Sequence, residues 1–76
     1  MTTNEYEQAL FDASVQYYQS LIQNGENSNI TDEAHGQMLC AYNTYLATGG
    51  TRGEAQLVIA EGRLQAAFNR RRVGAG

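Results

Sequence analysis

Glycines at two points divide the 76-residue chain into three segments whose apolar residues recur every three or four positions. The first segment closes at Gly25 and the second at Gly49 and Gly50, and glycine readily adopts the left-handed conformation that ends a helix. A spacing of three and four places side chains on one helical face, whereas a strand would alternate them. The sequence therefore predicts an all-α fold. We expect one domain, 1–76, with helices at about 3–24, 31–48 and 52–72 and a short flexible C-terminal tail.

Polar residues at the segment starts support this division. Thr51 and Glu54 have the spacing of a capping box, in which each side chain satisfies a free amide group at the beginning of a helix. Asn29 or Thr31 can cap the second helix in the same way. Residues 55–60 could also be a short strand, but the surrounding caps and helix formers favour helix.

The composition argues against catalysis and against metal or cofactor binding. Cys40 is the only cysteine and His35 the only histidine, which excludes an internal disulfide and leaves no Cys/His set for structural zinc. Neither residue has a partner in sequence that would make it a nucleophile or a base. No apolar run reaches the length of a membrane span. We expect a non-enzymatic protein without cofactor, in the cytoplasm or within a virion, that does not bind membranes.

Charge is distributed unevenly along the chain. The net charge is −3, yet all five basic residues are arginines that lie from Arg52 onward, and lysine is absent. Arginine forks bind carboxylates and phosphates in a bidentate manner. We therefore predict that Arg70, Arg71, Arg72 and Arg52 contact an anion or an acidic partner, although compensation of the helix dipole is an alternative role for the C-terminal three.

The third helix carries two apolar stripes on opposite sides. We expect the stripe of larger residues to supply the core, and it consists of Leu57, Ala60, Leu64, Ala67 and Phe68. The other consists mainly of small residues, Ala55, Val58, Ile59, Gly62 and Ala66. Glycine inside a helix costs about 1 kcal/mol relative to alanine, which is reasonable where another backbone approaches closely.

These apolar faces predict an interaction module. We predict a partner surface formed by Ala55, Ile59, Gly62, Ala66, Tyr17 and Tyr18, because the first helix also has more apolar face than a surface helix needs. The partner would be another protein or a second copy of the chain. The alternative is that the third helix packs between the other two and uses both stripes internally.

The sequence is compatible with two other functions. The third helix and the C-terminal arginines could bind nucleic acid, although the domain is acidic overall. The turn from Gly49 to Gly53 could bind a small anion or nucleotide at the start of the third helix, although it lacks the lysine of a phosphate-binding loop.

The last seven residues carry one resemblance. The run of Arg70, Arg71 and Arg72 before Gly74, Ala75 and Gly76 resembles the basic C-terminal tail of small head-completion proteins of tailed bacteriophages. That family's β-hairpin between helices has no counterpart in this sequence, so the chain is not assigned to it. The resemblance implies a bacteriophage virion component, beside the other expected classes of small accessory protein and host-directed inhibitor.

Overall fold

The computed structural model describes residues 2–75, with side chains described from residue 5 to residue 69. It consists of three helices, α1 (Thr2–Asn24), α2 (Asn29–Ala47) and α3 (Arg52–Ala75). The predicted all-α, three-helix fold is confirmed, and residues 55–60 are helical.

The turn between α1 and α2 follows the predicted glycine rule but uses a different cap. Gly25 has a φ of 81° and its amide donates to the Leu21 carbonyl, which closes α1. The cap of α2 is Ser28, whose hydroxyl accepts from the Ile30 amide at 3.2 Å. The prediction of Asn29 or Thr31 as the cap was therefore wrong, and Thr31 has a different role at the α1–α2 contact.

The turn between α2 and α3 matches its sequence signals. Gly49 has a φ of 107° and follows the last turn of α2. The predicted capping box is present: the Thr51 hydroxyl accepts from the Glu54 amide at 3.2 Å, and the Glu54 carboxylate accepts from the Thr51 amide at 3.3 Å. A side chain at Gly50 would overlap the ring of Tyr45, so this glycine lets the buried tyrosine pack beneath the turn.

The end of α3 differs from the prediction. The helix runs to Ala75, three residues beyond the predicted end at Arg72, and the predicted flexible tail is helical as far as Ala75. Val73 and Ala75 can continue a helix, and Gly74 alone weakens it by only about 1 kcal/mol.

The first helix lies in the middle of the fold. It packs along both α2 and α3, whereas α2 and α3 touch each other little. The molecule is accordingly a flat layer, with extents of 39 × 25 × 17 Å. This arrangement accounts for the wide apolar face of α1, because two neighbouring helices cover it. The buried core joins all three helices and contains Leu10, Met38, Tyr45, Ala55 and Val58.

The contact between α1 and α3 is very close at one point. A Cβ built at Gly62 would lie 2.6 Å from the Ser14 Cβ and 3.2 Å from the Phe11 carbonyl oxygen. Ser14 is fully buried, and its hydroxyl donates to the Leu10 carbonyl of its own helix at 2.8 Å. The small residue on each helix therefore sets the distance between the two backbones.

The contact between α1 and α2 is partly polar. The Ser20 and Thr31 hydroxyls are hydrogen-bonded at 3.0 Å, and both side chains are buried. Thr31 also donates to the Gly25 carbonyl at 2.8 Å, so it ties α2 to the end of α1. Because these hydroxyls are satisfied inside the domain, their burial costs little.

Candidate interaction surfaces

The predicted partner stripe of α3 faces α1. Ala55 and Ala66 have no exposed surface, Gly62 is buried against Ser14, and Ile59 is half-buried beside the core. A fully buried side chain offers no contact to another protein. The structure therefore corrects this prediction for Ala55, Gly62 and Ala66: the close approach expected at Gly62 is made by the backbone of α1 within the same chain.

The stripe of large residues on α3 faces outward. Leu57 is 67% exposed, Leu64 is 70% exposed and Phe68 is 54% exposed. Ala60 and Ala67, which lie between them on the same side, are exposed as well. We call these five residues the outer face of α3. The expectation that they supply the core was wrong, because the small residues on the other side allow a closer helix crossing.

The outer face is continuous along the helix. Residues 57, 60, 64 and 67 alternate steps of three and four, so at 3.6 residues per turn they form one line on the helix surface. A large apolar side chain presents on the order of 180 Å² when free, so Leu57, Leu64 and Phe68 together leave about 350 Å² uncovered. A patch of this size is at the low end of the largest apolar patches found on monomeric proteins, which are often functional.

Charged residues of opposite sign border the outer face. Glu54 and Glu61 lie along one edge, which we call the acidic edge, and Arg52 and Arg63 lie along the other, the basic edge. All four side chains are exposed. Glu7 of α1 lines the same shallow surface depression as Glu61, which adds negative charge beside the acidic edge.

A second surface lies between α2 and α3, which touch each other little. This shallow groove of about 380 Å³ is lined by Tyr18, Met38, Leu39, Tyr42, Gln56 and Ile59. It brings together two of the residues predicted from sequence to bind a partner, Tyr18 and Ile59. Tyr17 lies next to it, with its ring centre 4.9 Å from that of Tyr18 and 5.1 Å from that of His35.

The predicted anion-binding arginines occupy separate places in the chain. Arg52 is exposed in the first turn of α3, and Arg70, Arg71 and Arg72 belong to its last two turns. The side chains of these last three arginines lie outside the described residues. About 27 Å of helix separates Arg52 from Arg70, so these residues do not form one cluster.

The turn from Gly49 to Gly53 already has an anion of its own. The Glu54 carboxylate accepts hydrogen bonds from both the amide and the hydroxyl of Thr51, at 3.3 and 2.9 Å. An external phosphate or carboxylate would have to compete with this side chain for the helix N-terminus. The turn is therefore built as a cap.

The other two residues with reactive side chains lie on the surface of α2. His35 is exposed, and its ring lies beside that of Tyr17 at a tilt of 41°. Cys40 is exposed and carries a free thiol.

Among the described residues, no helix combines the length and the apolar character needed to cross a bilayer. Comparison of the chain with protein-family models, with curated proteins and with solved structures gives no match.

Proposed function

We propose that the chain is a non-enzymatic protein-interaction module and that the outer face of α3 is its contact surface. One observation carries this proposal: Leu57, Leu64 and Phe68 are more than half exposed on the side of α3 opposite the core. Their uncovered area of about 350 Å² corresponds to roughly 9 kcal/mol of apolar transfer free energy before the costs of association are subtracted.

The position of the outer face supports this role. It lies on the side of α3 that points away from α1, so a partner can reach it without any rearrangement of the domain. It also belongs to a helix whose opposite side is fixed by buried contacts at Ala55, Val58 and Ala66. A surface held on a rigid element binds with little loss of conformational entropy.

A photo-crosslinking experiment tests the proposal. Leu64 is replaced by benzoylphenylalanine, and the matched control carries the same residue at Asn43, an exposed position of α2. We expect irradiation to give adducts of discrete mass from position 64 and none from position 43. The adducts should also disappear when Leu57→Gln and Phe68→Gln are added, because the contact is apolar.

Both a second copy and a different protein count as partners in this test, and mass spectrometry of the adduct separates them. Equal adduct patterns from positions 64 and 43, or none from either, would contradict the proposal. Nucleic-acid binding through the C-terminal arginines remains a prediction from the sequence, as does a role as virion component or host-directed inhibitor.

A further inference from the structure

We infer that the outer face of α3 binds the same face of a second copy of this chain, with the two α3 helices parallel. This inference rests on the proposed function and names its partner. It is carried by three properties of the described residues: the spacing of the outer face, the opposite charges of its two edges, and its area.

The spacing is that of a helix-pairing seam. Leu57 and Leu64 are seven residues apart, and Ala60 and Ala67 repeat the same interval between them. The resulting repeat of 3.5 residues is the one that keeps two helices in contact along a common line. In a parallel pair, each leucine meets the leucine of the second copy and each alanine meets the alanine.

The edges distinguish a parallel pair from an antiparallel one. Two parallel helices set the acidic edge of one against the basic edge of the other, whereas antiparallel helices set each edge against itself. An antiparallel pair would place Arg63 opposite Arg63 of the second copy and bring the two acidic edges together. The exposed charges therefore favour the parallel pair.

Specific side chains also match across a parallel pair. In this geometry a residue on the basic-edge side of one helix lies beside the residue five positions later on the acidic-edge side of the other helix. Gln56 then lies beside Glu61 of the second copy, where its amide can donate to the carboxylate. Arg63 lies beside Phe68 of the second copy, where the guanidinium can rest on the face of the ring. Both pairs occur twice in the dimer.

The area predicts a weak dimer. Covering the outer faces of two copies, with the aliphatic parts of their edges, removes roughly 1,000 Å² of surface in total, at the lower end for specific interfaces. We therefore expect a dissociation constant on the order of 10–100 μM. A protein that is monomeric in dilute solution would become dimeric at higher concentration.

Sedimentation equilibrium of the purified chain between about 1 and 500 μM tests the inference. We expect the mass to rise from 8.3 kDa toward twice that value. Leu64→Gln should keep the monomer mass throughout, and circular dichroism checks that it stays folded. A mass that remains at 8.3 kDa at every concentration, or a Leu64→Gln chain that still dimerises, would overturn the inference.

Disulfide trapping tests the orientation. The variant Gly53→Cys is made in a Cys40→Ser background, since Gly53 has open space around it and lies on the line of the outer face. Parallel helices bring the two introduced thiols together, whereas antiparallel helices separate them by about 27 Å. We expect rapid formation of a linked dimer, and slow collisional linking for Asn43→Cys in the same background. Equal rates would overturn the parallel arrangement.

Charge substitution tests the edges. Gln56→Glu sets a carboxylate beside Glu61 of the second copy, and Gln56→Arg sets a guanidinium there. We expect the first variant to associate severalfold more weakly than the unmodified chain and the second severalfold more tightly, because the facing charges are alike in one and opposite in the other. Equal association of the two variants would contradict the matching of edges. If the chain stays monomeric but position 64 crosslinks to a different protein, the second copy is excluded while the proposed function stands.

Discussion

The two faces of α3 carry residues of different size, and the smaller residues are the buried ones. The inner face buries Ala55, Val58, Gly62 and Ala66, whereas the outer face exposes Leu57, Leu64 and Phe68. Size and hydrophobicity alone would place the leucines inside. The comparison shows that in so short a chain the closeness of a helix crossing can determine which stripe is buried, and that the larger residues are then left exposed.

The largest expected effect comes from filling the closest point of the inner face. Gly62→Leu should destabilise the domain by about 3 kcal/mol or more, because even a Cβ there would lie 2.6 Å from that of Ser14. Urea denaturation followed by circular dichroism measures the loss. A variant as stable as the parent would show that α3 can move away from α1. The close crossing at Gly62 would then not determine which face of α3 is buried.

A pair of truncations compares neighbouring residues on the two faces. Val58→Ala should cost about 2 kcal/mol because Val58 is only 3% exposed. Leu57→Ala removes a larger side chain but should cost less than about 0.5 kcal/mol, since Leu57 is 67% exposed. Both are measured by denaturation at a few micromolar, where association does not contribute. Equal losses would contradict the assignment of inner and outer faces.

Two glycine substitutions in the same helix give a smaller contrast. Gly53→Ala should stabilise the domain by about 0.5–1 kcal/mol, because its Cβ meets nothing within 4 Å and the unfolded chain loses entropy. Gly62→Ala gains the same helix propensity but meets Ser14. We expect it to destabilise by about 1 kcal/mol and to recover when Ser14→Gly is added. Thermal unfolding of these three variants and of Ser14→Gly alone decides this, and additive effects would remove Ser14 as the cause.

The smallest expected effect concerns Tyr45, which belongs to the core cluster with Ala55 and Val58 on the inner face. Burial, and then the negative charges of Glu54 and Glu7, raise the pKa of this phenol above its ordinary value. Its contribution to stability is therefore complete below about pH 10 and is lost as the pH rises through the folded-state pKa. Denaturation between pH 8 and pH 11.5 should show a steeper alkaline decline for the parent than for Tyr45→Phe. Parallel curves would argue against this contribution.

Much of the fold follows from local sequence signals. The turn glycines Gly25 and Gly49 and the pair of Thr51 and Glu54 act within a few residues of themselves, so their roles could be predicted from spacing alone. The assignment of the faces of α3 could not, because it depends on how closely α1 approaches Gly62. The buried position of Ser14 was missed for a related reason: its hydroxyl is satisfied by the Leu10 carbonyl of its own helix, so a polar residue can lie at the crossing.

The sequence predicted that α3 carries an apolar stripe outside the core but placed this stripe on the wrong side of the helix. An unpartnered apolar stripe on α3 was expected from the sequence, and the structure has one, yet on the side of Leu57 and Leu64 instead of the side of Ala55 and Gly62. Gly62 inside the helix indicates a close backbone contact, but such a contact can form within the chain or between two chains. Only the position of α1 shows that it forms within the chain.

The central position of α1 has a consequence for how the domain comes apart. Since α2 and α3 hardly touch, each can detach while the other remains docked, and the cooperativity of unfolding depends on α1. Amide hydrogens in the middle of α1 should therefore exchange only on global unfolding, whereas those of α2 and α3 can also exchange through separate partial openings. A dimer formed through α3 would slow exchange in α3 and leave that in α2 unchanged, so that one half of the domain would become measurably more rigid than the other.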